Sequence, residues 1–253
     1  MDKYGLIGYP LGHSFSRQFF MEKFAREGIH ATYENYEIPQ ADMLLQVIRE
    51  HPELRGLNCT IPYKQAIIPL LDELSDEARE IGAVNVIRID RNHEGKVWLK
   101  GYNSDVIGFT ESIKPLLSLT EHNALVLGTG GASRAICHGL TQLGIRWQYV
   151  SRREQPGMLT YDALTPDFIR AHDIIINCSP VGMFPHTDEA PQLPYEALDR
   201  RHLLFDLIYN PAETGFMRLG ALQGATVKNG LEMLHLQAIA SWQIWNSGPH
   251  LYE

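Results

Sequence analysis

NALVLGTGGASRAICHGLTQLG, residues 123–144, holds an apolar run, a glycine cluster and an amphipathic stretch that stops at another glycine. That order reads as strand, tight turn and helix. In this context the glycines of GTGGAS (128–133) take on a meaning they lack alone. They let the backbone turn sharply and let a pyrophosphate approach the N-terminus of the helix. There the exposed N–H groups and the helix dipole stabilise negative charge. The fingerprint G-x-G-x-x-G asks for a third glycine at position 133, where this chain has Ser133. The next strand ends in YVSRREQ (149–155), and its tip decides the nucleotide. An NAD enzyme places Asp or Glu there, on the ribose hydroxyls. Here Ser151, Arg152 and Arg153 take those places, and an arginine pair suits a 2′-phosphate through charge-assisted bonds. NADP is the favoured cofactor, and NAD is the alternative that Glu154 keeps open.

Outward from that turn the chain alternates strand-like and helix-like segments. Before it, strands are expected at 3–8, 32–38, 54–61 and 82–89, with a hairpin partner after RNHEGK, and helices at 15–27, 41–51, 64–80 and 105–117. After it, strands are expected at 147–150, 173–178, 202–209 and 225–230. A last helix, 231–245, carries Leu231, Leu234, Ala238, Trp242 and Trp245 near one face. Strands separated by helices imply sheets covered by helices. The fold class is α/β in two domains: residues 1–102, completed by 231–253, around a mainly parallel sheet, and residues 103–230 in a Rossmann-like, doubly wound arrangement.

The 253 residues suffice for two domains. A net charge of −8 argues against nucleic acid and acidic lipid as partners. No apolar run is long enough to span a membrane, and the start MDKYGLIGYP lacks the pattern of a signal peptide. The three cysteines, Cys59, Cys137 and Cys178, are odd in number and far apart, which fits a reducing cytoplasm rather than a disulfide framework or a metal site. A small-molecule substrate is the expected partner, with the chain a monomer or homodimer.

Polar residues gather where expected strands end: GHSFS (12–16), NCTIPYK (58–64), GAVN (82–85) and GYNSD (101–105). Open α/β sheets bind ligands at such ends. Hydroxyls, amides, one lysine and one carboxylate suit a polyhydroxylated substrate. Serine and aspartate at these places also serve as helix caps, and one loop can do both jobs. Asn85, set in an apolar run, needs partners if buried.

In this order the motifs resemble the shikimate dehydrogenase family, over nearly the whole chain. The resemblance rests on Ser14-x-Ser16, Asn58-x-Thr60-x-Pro62-x-Lys64, Gly-Ala-Val-Asn85, Asn103-Ser104-Asp105 and the glycine turn. It continues through NCSPVGM (177–183), DLIYNPAET (206–214) and NGLEMLHLQA (229–238). It implies a first domain that binds substrate and a second that binds NADP. The implied reaction is the reversible reduction of 3-dehydroshikimate to shikimate, toward chorismate and the aromatic amino acids. Ser14, Ser16 and Tyr209 would hold the carboxylate, and Thr60, Asn85, Asp105 and Gln237 the ring hydroxyls. Lys64 would be the general base and Asp105 its partner. Gly128, Thr129, Gly130, Gly131 and Ala132 would hold the pyrophosphate, Ser151, Arg152 and Arg153 the adenosine end. Leu207 and Gly230 would meet the nicotinamide through their backbone, and Asp76 is a further cofactor candidate. The pattern departs from the family at Arg17, Ser104, Thr129, Ser151 and Glu232.

A solvated lysine is a poor base near neutrality. Burial favours its neutral form, and a nearby carboxylate its charged form. Two roles therefore stay open for Lys64: proton acceptor, or polariser of the oxygen while Asp105 or water moves the proton. A quinate/shikimate dehydrogenase using NAD and a non-catalytic dinucleotide sensor are the competing readings.

Overall fold

The structure, a computed structural model, describes residues 1–12, 15–118 and 122–247. The chain divides into two compact units, Met1–Ser104 with Gln237–Glu253, and Asp105–Leu236.

The first unit runs β1 (Asp2–Gly8), α1 (Phe15–Glu27), β2 (Ala31–Glu37), α2 (Leu44–Glu50), β3 (Leu54–Cys59), β4 (Glu73–Leu74), α3 (Asp76–Ile81), β5 (Val86–Arg91) and β6 (Val97–Tyr102). Its six strands lie in the order β2-β1-β3-β5-β6-β4. β1 pairs parallel with β2 and β3, and β4 with β6, while β3–β5 and β5–β6 are antiparallel. Successive side chains of a strand point to opposite faces, so Ile7, Leu57 and Ile87 pack with Leu44, Val47 and Ile48 of α2. Tyr4, Leu6 and Val86 turn the other way, onto Phe20 and Phe24 of α1 and onto Ala238 and Trp245 near the chain's end. The Trp245 indole donates to the Ile87 carbonyl at 3.1 Å and lies over Gly56, where a Cβ would come within 2.3 Å of the ring.

The single helix expected over 64–80 is not formed. Residues 64–67 are turns, 68–70 a short 3-10 turn with Pro69 in it, and Glu73–Leu74 pair with β6. A helix starts only at Asp76, where the Ser75 hydroxyl accepts from the Ala78 N–H at 3.1 Å. Proline is tolerated in a first helical turn but not inside a helix, and serine favours the N-cap.

The second unit runs α4 (Asp105–Ile113), β7 (Asn123–Leu127), α5 (Gly131–Gln142), β8 (Arg146–Ser151), β9 (Leu159–Thr160), α6 (Pro166–Arg170), β10 (Ile174–Asn177), β11 (Leu203–Asp206), α7 (Gly215–Leu222) and β12 (Thr226–Lys228), and α8 (Leu231–Asn246) begins in it. The strands lie in the order β12-β11-β10-β7-β8-β9, all parallel. Counted from β9 to β12 this is the 3-2-1-4-5-6 order of a doubly wound dinucleotide fold. Ala124 and Val126 pack with Phe109 and Ile136 on one face, Leu125 and Leu127 with Ile169 and Phe216 on the other. The central strands β7, β10 and β11 are buried on both faces, which is why they read as apolar runs. Leu231, expected on the apolar face of the last helix, is 41% exposed. No helix among the described residues is long and apolar enough to cross a membrane.

Candidate active site

On the first unit the chain leaves β3 into a tight, well-tied turn. The Thr60 N–H donates to the Ile7 carbonyl and the Tyr63 N–H to the Thr60 carbonyl, both at 2.9 Å. The Tyr63 phenol reaches the Ile38 carbonyl at 2.6 Å. Lys64 follows at once, half-buried, and its carbonyl accepts from the Val84 N–H at 2.7 Å. That bond ties the Lys64 backbone to the GAVN stretch. The same stretch presents Asn85, 3% exposed. Its Nδ2 donates to the Ser104 hydroxyl at 3.0 Å, its Oδ1 accepts from the Ser104 N–H at 2.7 Å, and its carbonyl accepts from the Cys59 N–H at 2.9 Å.

Gln237 of α8 brings its Oε1 to 3.4 Å from the same Ser104 hydroxyl. Ser16 lies in the first turn of α1. Asn85 and Gln237 thus both meet the Ser104 hydroxyl. Ser14 lies outside the described residues. Asp76 is the exposed first residue of α3 and pairs with Arg79 at 2.7 Å, on this unit and not with the other cofactor candidates.

The second unit holds the nucleotide candidates at the edge where β7 and β10 diverge to opposite halves of the sheet, the switch point at which such sheets take their ligands. Gly128 has φ +101°, a backbone that L side chains rarely adopt, and a Cβ there would press on the Cys178 and Ser179 backbone at 3.2–3.3 Å. α5 begins at Gly131 after an extended Gly130 with no side-chain cap. Its first N–H groups are therefore not taken by a cap, and Thr129 and Gly130 are exposed beside them. These features fit a pyrophosphate.

Ser133, in place of the third glycine, is fully buried and donates to the Gly130 carbonyl at 2.7 Å. The hydroxyl is satisfied inside the turn, so the substitution leaves the loop's geometry intact. At the end of β8, Ser151 is buried and its Oγ accepts from the Arg153 N–H at 3.2 Å, while Arg152, Arg153 and Glu154 are exposed. Neither guanidinium makes an ion pair among the described residues, which fits a phosphate held from outside.

Two further candidates meet directly. A Cβ on Gly230 would sit 2.1 Å from the Leu207 carbonyl oxygen, and the Gly230 N–H donates to the Ile208 carbonyl at 3.0 Å. Only glycine lets these backbones approach. Tyr209 is 39% exposed, and partial burial raises its phenol pKa. Asp105 begins α4 and is 6% exposed.

The loop carrying Leu207 and Tyr209 is held by a residue that the sequence reading did not single out. Asp206, fully buried, accepts from the Thr214 hydroxyl at 2.6 Å, the Ile208 N–H at 3.0 Å and Asn177 Nδ2 at 3.1 Å. Thr214 also caps α7. Burial pushes the Asp206 carboxyl up to about 6, against the pull of those three bonds. The available signal was a polar residue closing an apolar strand, in IIIN (174–177) and again in LLFD (203–206).

Known proteins match these features. The family model described as the shikimate dehydrogenase substrate binding domain matches residues 6–87. A curated relative from Desulforamulus reducens, named shikimate dehydrogenase (NADP(+)), is 34% identical over 95% of this chain and 88% of its own length. The structure of shikimate dehydrogenase from Aquifex aeolicus superposes with a TM-score of 0.84 at 33% identity, over 98% of this chain and 93% of that one. The shikimate 5-dehydrogenase of Thermus thermophilus, solved in complex with NADP(H) and shikimate, gives 0.83 at 30% identity, over 97% and 94%. A likeness of this extent in both sequence and fold, joined to a glycine turn at the switch point and a tethered lysine, means that the chain belongs to the shikimate dehydrogenase family.

Proposed function

We propose that this chain catalyses the reversible, NADP-linked interconversion of 3-dehydroshikimate and shikimate, a step toward chorismate and the aromatic amino acids. The observation that carries the reading is Lys64: half-buried and tied through its own carbonyl to Val84, on the unit that also presents Thr60, Asn85 and Gln237. Neutral donors and acceptors of this kind suit a ring bearing several hydroxyls, and a lysine among them suits the one oxygen that gains and loses a proton.

NADPH, when bound, supplies the hydride that turns the carbonyl into an alcohol. The chain's own residues do the rest. Lys64 stands at the reacting oxygen, gives it a proton on reduction and takes one back on oxidation; its ammonium also favours the negative charge that grows on that oxygen. Thr60, Asn85, Asp105 and Gln237 bind ring hydroxyls, and Ser14, Ser16 and Tyr209 bind the carboxylate. The uncapped start of α5, with Gly128, Thr129, Gly130, Gly131 and Ala132, takes the pyrophosphate by its N–H groups. Ser151, Arg152 and Arg153 take the 2′-phosphate end. Leu207 and Gly230 offer backbone atoms to the nicotinamide.

The test is the reduced-cofactor absorbance of purified protein with NADPH on addition of 3-dehydroshikimate. The reading expects loss of that absorbance in step with shikimate formation. An unchanged trace with protein that binds NADPH overturns it.

A further inference from the structure

Beneath the substrate candidates of the first unit runs a buried chain of polar groups that no local motif announces. The Tyr33 phenol, 1% exposed, donates to Asn58 Oδ1 at 2.8 Å. Asn58 Nδ2 donates to the Ser241 hydroxyl at 3.0 Å and to the Asn85 carbonyl at 3.3 Å. The Ser241 hydroxyl donates to the Gln237 carbonyl at 2.8 Å and lies 3.1 Å from the Ser104 hydroxyl.

The fixed acceptors set the direction of most of these bonds. The Asn85 carbonyl can only accept, which turns the Asn58 amide so that its NH₂ faces that carbonyl and its oxygen faces Tyr33. Tyr33 therefore gives its single proton to Asn58. Ser241 gives its proton to the Gln237 backbone carbonyl and accepts from Asn58, while the single Ser104 proton has Ser241, Asn85 Oδ1 and Gln237 Oε1 within reach. Ser104 in turn accepts from Asn85 Nδ2. Burial holds the Tyr33 phenol far above its ordinary pKa, which keeps the proton in place at any working pH. Every member is paired, which makes such a network rigid, and one deletion would strand its neighbours in a dry interior.

We propose that Tyr33 and Ser241 are positioning residues for the substrate: joined through Asn58, and reaching Asn85 and Gln237 through Ser104, they place the hydroxyl-holding amides as one unit. Neither touches the substrate in this account. The proposal rests on the substrate roles assigned above.

Tyr33→Phe and Ser241→Ala each remove one hydroxyl and little volume. Each is expected to raise KM for shikimate roughly three- to tenfold, the scale of one net hydrogen bond, with a smaller change in kcat and none in KM for NADP. The rise for Tyr33→Phe should vanish in an Asn85→Ala background, and that for Ser241→Ala in a Gln237→Ala background. A merely structural role would instead lower Tm and the active fraction at unchanged KM, and that result overturns the proposal. Additive effects in the double variants overturn it as well. If one single variant does not fold, the other pair carries the test. A wild type that does not turn over shikimate sinks the functional reading and this proposal with it; an active wild type with variants matching its KM sinks this proposal alone.

Discussion

Lys64 shows what one backbone bond adds to a motif. In the sequence it is a lysine two residues after a proline, equally suited to a helix start on the surface. In the structure no helix begins there, and the Val84 N–H holds its carbonyl at 2.7 Å. Lys64→Ala should lower kcat by about 10²-fold or more, the usual scale of general acid–base help, with NADP binding and Tm near wild type. Near-normal turnover would remove the lysine from the chemistry. Ser133 is the opposite case, a departure from the fingerprint that the fold absorbs because its hydroxyl closes on Gly130 at 2.7 Å. Tyr33 and Ser241 were not legible at all. Their partner Asn58 lies 25 and 183 residues away from them, and no short pattern encodes such a meeting.

Among the elements, long periodic segments were readable and short ones were not. The stretch from β7 through α5 follows directly from its strand, glycine and helix signals, and the β5–β6 hairpin from the turn between its strands. α6 and α7 escaped notice: five residues give too little periodicity, and GFMRLGAL carries two glycines, poor helix formers. The segment after Lys64 misled because its apolar spacing suits a helix while Pro69 and the Ser75 cap cut it into pieces.

The loop after β11 depends on Asp206, whose carboxyl stands near 6 rather than 3.8. The neighbouring Cys178 and Tyr195 are pushed further toward their neutral forms by burial and add no charge. Between about pH 4 and pH 6 the folded chain keeps a proton on Asp206 that the unfolded chain has released, so this group's contribution to stability falls as pH rises through that window. Asp206→Asn has no such proton. The stability of wild type relative to the variant should therefore decline from pH 4 to pH 6, by at most on the order of 3 kcal/mol, in denaturant titrations at each pH. A difference that stays constant or grows would contradict the burial-driven shift.

At the scale of the whole molecule, each unit has its own sheet and its own pair of apolar cores. The alternation of strands and helices made the α/β class readable. The same alternation could not reveal that the first sheet is mixed, since pairing direction depends on how the chain returns. One break between the units falls at Ser104–Asp105, inside a polar motif, and the other between Leu236 and Gln237, inside the last helix. Helical periodicity does not change at such a point, so no pattern marks it.

The claim that joins the two units is a single reaction, with the substrate read by one and the nucleotide by the other. Its most direct measurement is steady-state kcat/KM for shikimate and for quinate, each with NADP and with NAD. The account predicts strong turnover of shikimate with NADP, a rate with NAD lower by roughly tenfold or more, as expected when Arg152 and Arg153 lose a charge-assisted phosphate contact, and little activity on quinate. Equal or better rates with NAD or with quinate would contradict it, and would make Glu154 rather than the arginine pair the residue that selects the nucleotide.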